Sequence, residues 1–472
     1  MRTKLIIYTS ALLLSLISCT NDFEDTNTNP NNPDSAPLTN VFGYAIESLA
    51  EQFGQTEMHY PAPFVGQVTN GTYTDVINYS TDPGNDIWSA TYSTILTNVN
   101  FVIEGAREAG NDNLEAAGLV IRTYALQLVT DIYGKVPYSE AGKAVEEVIH
   151  PSYDDEKDIY YDLLKTLDEA NSLFDEENGG EIGAGDLIYG GEVAQWKKFC
   201  NALRLRLAIR ISNVDETKAA EELSTILNNP DKYPVFASND DNSFLTFPGG
   251  DWVEPWTSEH SSIGDDYMAK PIVDTLLNYH DPRIAEYAEP MEDNTYAGLE
   301  VGSDADTEYS RVNDRFVNNP TGSIYFLKYA EVKFIQAESM QRGFISGDAG
   351  AAYESAITAS CKEYDITDEL IADYLAGPDV AWNNNLSQIY IQKWIALFRQ
   401  SWEAWAEMRR TDVPTLEPAS NAAYSGHNRT PFRFPYPDSE QKLNSENVPS
   451  SVTEEDYFWG YQIWWDTRTG VQ

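Results

Sequence analysis

The sequence predicts an all-α protein of paired helices crossed by long loops. Apolar residues recur at helical spacing over most of the chain from Leu38 onward. Two periodic segments are separated only by the short turn Gly343 to Gly347, which forces them antiparallel, and their small Ala positions allow close approach. Between the helices lie three long stretches without strong periodicity, Pro61 to Trp88, Tyr233 to Met268 and Pro290 to Thr321. Loops of that length are uncommon in compact domains unless they have a function.

Taken in order, the chain begins with the basic residues Arg2 and Lys4 and an uncharged apolar run from Leu5 to Ile17, followed by Ser18-Cys19. A basic start, a short apolar core and a small residue before the cut describe a signal peptide over residues 1–18. A membrane-spanning helix would need roughly 20 apolar residues, and this run is too short. The segment resembles a bacterial lipobox, in which the cysteine, here Cys19, becomes the lipid-modified first residue; several acyl chains give stable membrane anchoring. Residues 19–37 are rich in Asn, Asp, Thr and Pro, with Asn29-Pro30-Asn31-Asn32-Pro33 at their centre. Asn-Pro steps favour turns and extended chain, so this is expected to be a lipidated flexible tether.

The helices follow. Val41, Phe42, Ala45, Ile46, Leu49 and Phe53 form one stripe, Tyr92 to Ala106 a second, and Leu114 to Ile132 a third that Gly134 and Pro137 stop. Tyr153 to Phe174 carries Asp154, Asp155 and Glu156 in its first turn, where the helix dipole favours negative charge. The Trp196 to Ile211 helix collects Lys197, Lys198, Arg204, Arg206 and Arg210, cations expected to pair with acids on neighbouring helices. The hairpin Leu327 to Ile357 comes next, and Ser387 to Arg410 reads as the last long helix, closed by Pro414 and Pro418.

Asp and Glu total 75 against 31 Lys and Arg, for a formal charge of −44. So acidic a surface repels nucleic acid and anionic lipid; it keeps the protein soluble by mutual repulsion, with attraction of cationic ligands as the alternative. Cys200 and Cys361 fall inside helices, where a free thiol is a small buried apolar group; a bridge between them is the alternative.

No catalytic constellation stands out. His59, His150, His260, His280 and His427 are scattered, with no HExxH pattern, and no phosphate-binding Gly-rich loop occurs. With 75 acids, paired carboxylates carry no information about glycoside hydrolysis, which needs a defined separation in space. No catalytic residue, cofactor or metal is expected. The loops, in contrast, are rich in aromatic residues: Tyr73, Tyr79 and Trp88 in the first with Tyr60 just before it, Trp252 and Trp256 in the second, Tyr296 and Tyr309 in the third. Such rings stack on the C–H face of a sugar or on a peptide side chain. Asn70, Asp75, Asn78 and Asp251 lie beside them to bond hydroxyls. Each ring alone is as well explained by pinning its loop to the helices, and Trp88, just before the Tyr92 helix, also reads as core. The candidate ligand residues are Asn70, Tyr73, Tyr79, Trp88, Asp251, Trp252, Trp256 and Tyr296.

A series of motifs resembles the SusD/RagB family of outer-membrane nutrient-binding lipoproteins, in its SusD-like branch. It runs from Cys19 and the Asn-Pro tether through Asp131 to Ala141, Asp186 to Gly191, Trp196 to Leu207, Asp281-Pro282-Arg283 and Tyr329 to Glu338. It ends with Gln392 to Trp394, Glu403 to Trp405, Arg409-Arg410 and Phe432 to Pro437. The resemblance spans nearly the whole chain and implies a single binding domain over residues 38–472. That domain would hold about four tetratricopeptide-like hairpins, with the loops packed on one face to form the ligand site. It further implies capture of oligosaccharides without chemistry and delivery to a SusC-like TonB-dependent transporter in the outer membrane, over which the lipoprotein sits as a hinged lid. Asp22 to Asp25 resembles a surface-export signal, placing the body outside the cell. A peptide-binding RagB-like protein and, from another class, a surface glycan hydrolase are the alternatives.

Overall fold

A computed structural model describes residues 36–73, 79, 84–142, 148–449 and 454–472. Cys19, the Asn-Pro tether, Asp22 to Asp25, Asp75 and Asn78 lie outside the described residues. Numbering the helices of eight or more residues, the first six are α1 (Leu38–Glu57), α2 (Leu96–Ala109), α3 (Asp112–Tyr133), α4 (Glu156–Leu173), α5 (Val193–Arg210) and α6 (Glu216–Leu227). Then come α7 (Pro255–Ser262), α8 (Lys270–Asn278), α9 (Tyr329–Gln341), α10 (Ala349–Lys362), α11 (Asp368–Leu375), α12 (Leu386–Ala396) and α13 (Ser401–Thr411). The architecture is the all-α, tetratricopeptide-like one: α2 turns back as α3, α3 packs on α4, α4 on α5 and α5 on α6, while α9 and α10 make the predicted hairpin.

Local chemistry sets the ends of these helices. The Asn111 side chain accepts from the Leu114 amide to cap α3, and Gly134, at φ 85°, ends it in a conformation costly for any other residue. On α1 the stripe Phe42, Ala45, Ile46, Leu49 and Phe53 is buried as its spacing predicts. The Tyr92 helix is interrupted at its start: Ala90–Ile95 is wound as a π-helical turn before α2 begins.

Four of the five cations of α5 pair with acids as expected, and among the described residues Lys197 does not. Arg206 grips Glu331 of α9 with two bonds of 2.9 and 2.6 Å, Arg210 reaches Glu403 of α13 at 2.5 Å, and Arg204 meets Asp168 and Glu222. Lys198 pairs with Asp241, and Lys197 contacts the Phe174 carbonyl. Cys200 and Cys361 are both free and buried.

The last long helix is a correction. Residues 387–410 form two helices, α12 and α13, broken where Arg399 adopts φ 62°. The break lets the buried Glu57 carboxylate accept from the Ser401 amide at 2.5 Å, opening α13, while Arg399 reaches Glu254 at 2.5 Å. An apolar period carries across a single left-handed residue, so the stripe alone does not reveal it.

The three long loops also hold more order than their aperiodicity predicts. The second contains α7, and short strands stitch the loops together. β1 (Val68–Asn70) pairs antiparallel with β3 (Asp266–Met268), matching Asn70 with Asp266; β2 (Ser243–Thr246) pairs antiparallel with β4 (Ser323–Leu327). Bridges from Tyr267 to Arg311 and from Ala269 to Leu299 bring in the third loop.

Candidate functional site

Where the end of α1, the first loop and α7 meet, they enclose a cavity of about 520 Å³. One wall is the polar face of α1, with Gln52, Gln55 and Thr56 at helical spacing, continued by His59 and Tyr60 beyond the helix end. Tyr73 stands on the rim of the first loop, its ring 62% exposed. Asp86, Ser89, Ala90 and Thr94 close another side; Glu259 and Ile263, from α7 and its end, close the third. The cavity thus combines two phenol rings with amides, hydroxyls and carboxylates, groups suited to stacking on sugar faces and bonding their hydroxyls.

The electrostatics of the floor follow from burial. His59 Nε2 lies 3.7 Å from Glu259 Oε2, too far for a hydrogen bond, and finds no hydrogen-bond partner among the described residues. Burial pushes the His59 pKa down, only partly offset by the Asp266 carboxylate. Burial, with Asp266 adding to it, pushes Glu259 up. Behind them the buried Asp266 is bonded by His260 at 2.8 Å and by the Asn70 amide at 3.2 Å.

The eight sequence candidates separate into distinct places. Tyr73 lines the cavity. Asn70 lies beneath its rim: buried, it donates to the Gly264 carbonyl at 2.7 Å and accepts from the amides of Thr72 and Tyr73, holding the Tyr73 turn in place. Tyr79, Trp88 and Trp256 are core. Tyr79 packs among Phe64, Phe458 and Trp459; Trp88 packs among Tyr92, Tyr133, Tyr153 and Tyr436. Trp256 is fully buried, donates to Glu57 at 3.2 Å and lies under the Arg399 guanidinium, 4.7 Å away. These three rings have no face free for a ligand, which corrects their assignment. Asp251 is exposed and Trp252 half-buried at the tip of the Gly249–Trp252 bridge, where the indole packs edge-on against Phe247 at 5.0 Å. Tyr296 is half-buried on the third loop. None of these three lines the cavity.

The residues missed by sequence reasoning, Gln52, Gln55, Thr56 and His59, did carry a signal. They fall at i, i+3, i+4 and i+7, a polar stripe that runs along the same helix beside its core stripe. Glu259 carried none, because α7 is hidden in a stretch without clear periodicity.

A family model described as "Starch-binding associating with outer membrane" matches residues 30–437. The chain belongs to this SusD-like family. Solved structures agree with the membership. A chitin-binding protein is 26% identical, with a TM-score of 0.80 over 92% of this chain and 100% of that one. A SusD homologue from Bacteroides uniformis is also 26% identical, with a TM-score of 0.79 over 91% and 98% of the two chains. A chitin-binding SusD homologue from Flavobacterium johnsoniae, 24% identical, shares the fold with a TM-score of 0.78 over 92% and 99%. No curated protein matches by sequence. The SusD-like motifs near Arg206, Arg283 and Arg410 serve the scaffold here: Arg283 is buried and bonded to Asp281, Ser360 and Gln392.

Proposed function

We propose that this SusD-like protein is a cell-surface lipoprotein, anchored to the outer membrane through Cys19, that captures oligosaccharides and passes them unaltered to a TonB-dependent transporter barrel. Residues 38–472 act as one binding domain. The observation that carries the reading is the exposed Tyr73 ring beside a polar cavity of about 520 Å³ that also holds Tyr60. A sugar ring stacks on the phenol while Gln52, Gln55 and the hydroxyls of Thr56, Ser89 and Thr94 bond its edges. Membership of a family described as starch-binding, and the likeness to proteins described as chitin-binding, point the same way.

Calorimetric titration with starch- and chitin-derived oligosaccharides tests it. At least one is expected to bind saturably, and Tyr73→Ala is expected to weaken that binding by about tenfold, the worth of one stacked ring. Analysis of the recovered sugar separates capture from hydrolysis by Asp86 and Glu259: capture leaves the oligomer intact. Cys19→Ala is expected to move the protein from the membrane to the soluble fraction, and the anchored form to co-purify with a large membrane barrel. A protein that binds no oligosaccharide at any attainable concentration is not a glycan-capture protein.

A further inference from the structure

The cavity wall has a sign. Its described lining includes Asp86 and Glu259 but no lysine or arginine. This is unlike the interior, where the buried Glu331, Glu338 and Glu407 each meet an Arg or Lys. The nearby Arg311 is engaged by Asp265 and lies over the Tyr267 ring, 4.6 Å from its centre. His260 is taken up by Asp266.

Glu259 is a half-buried carboxylate, its side chain 25% exposed, with the His59 imidazole as its near neighbour. Burial favours the uncharged form of that imidazole, so it supplies little compensating charge. A carboxylate drawn partly out of water without a counter-ion is costly, and a cation entering the cavity removes the cost. A metal ion calls for several converging ligands, and among the described residues no group of three or more His, Cys, Asp or Glu is found; separate carboxylates in the lining suit an ammonium group better. The net charge of −44 draws the same kind of ligand from a distance.

We infer that the cavity selects oligosaccharides carrying protonated amines, glucosamine-type units whose ammonium groups face Glu259 on one side of the cavity or Asp86 on another while a ring stacks on Tyr73. The exposed Tyr73 ring beside a hydroxyl and amide lining suits such a sugar, whose ring offers a C–H face to stack and hydroxyls around its edge. The inference rests on the glycan-capture reading and goes further by giving the captured sugar a charge.

The test compares three oligomers of equal length: glucosamine, N-acetylglucosamine and galacturonic acid. Titrations are run at low and high salt in a slightly acidic buffer that keeps the amines protonated. The glucosamine oligomer is expected to bind about fivefold or more tighter than its acetylated counterpart at low salt, the galacturonate weakest, with the preference shrinking in high salt. Glu259→Gln and Asp86→Asn, tested separately so that one misfolded variant does not decide the matter, are each expected to weaken the glucosamine oligomer more than the acetylated one and so to reduce that preference. Equal binding of the amino and acetylated oligomers, or a preference untouched by both substitutions, overturns the charge selection and leaves glycan capture standing. Binding of a lysine-rich peptide with no binding of any sugar overturns both.

Discussion

Arg410 of α13 lies square on Glu338 of α9, each of its terminal nitrogens 2.7 Å from one carboxylate oxygen, with both side chains sealed from solvent. The same guanidinium also holds Glu407, one turn back on its own helix, so a single residue ties the C-terminal helix pair to the α9–α10 hairpin. Removing one member of such a pair strands the other charge in the interior. Glu338→Ala is expected to lower unfolding free energy by about 3–5 kcal/mol in urea melts. The exposed pair Lys165–Glu169 is the control, and Glu169→Ala is expected to cost within about 0.5 kcal/mol. Similar costs at the two sites would show that the buried network does not hold the helices together.

Trp256 and Tyr73 should behave as opposites. Trp256→Ala empties a fully buried site and orphans the Glu57 contact, so a loss of about 3–5 kcal/mol is expected in thermal or urea melts. Tyr73→Ala, with its ring mostly in solvent, is expected to leave stability within about 0.5 kcal/mol and to act on sugar binding instead. A Trp256→Ala protein as stable as the wild type would place that indole outside the core.

Stability is expected to fall as pH rises from about 5 to 7. Burial, opposed by Arg210 and Arg206, pushes Glu403 up to about 7, against an ordinary value of 4.5. Between those values the folded protein holds a proton that the unfolded chain has released. The contribution is therefore complete below 4.5 and gone above about 7, at a slope of at most about 1.4 kcal/mol per pH unit. Buried Glu57 and Glu156 are pushed the same way. Despite its burial, Glu407 is held well below 4.5 by Arg410, Lys393 and Arg210, so its loss is felt only in stronger acid. Urea midpoints across this range should decline for the wild type and decline less for Glu403→Gln; a wild-type midpoint that climbs steadily would refute the assignment.

Both interior thiols should be inert in the folded state. Burial pushes Cys200 up to about 12 and Cys361 up to about 11, and only the thiolate attacks alkylating or disulfide reagents. Neither is expected to react with a thiol reagent in native buffer, and both should react on unfolding. Rapid native labelling of either would place it at the surface.

Much of this was legible in the residues. The stripe from Phe42 to Phe53 named the buried face of α1, and of the five cations on one helix of an acidic chain four found acids as their setting predicted. The polar stripe Gln52, Gln55, Thr56 and His59 was equally readable as one side of a recess. The loop rings were not. Tyr73 and Tyr79 are the same residue type six positions apart, yet one stands in solvent and the other is packed among Phe64, Phe458 and Trp459.

By itself the sequence determined the long periodic helices, though not the break at Arg399 or α7, together with their inward faces and the pairing chemistry of the charges, because each is written in a period of 3.6 residues or in a composition that must be neutralised when buried. Tertiary structure alone decided which rings became core and which became a surface. A loop has no repeating geometry to turn a side chain toward a known face. Its orientation is set by contacts nearly two hundred residues away, such as Trp256 on Glu57 and Asn70 opposite Asp266.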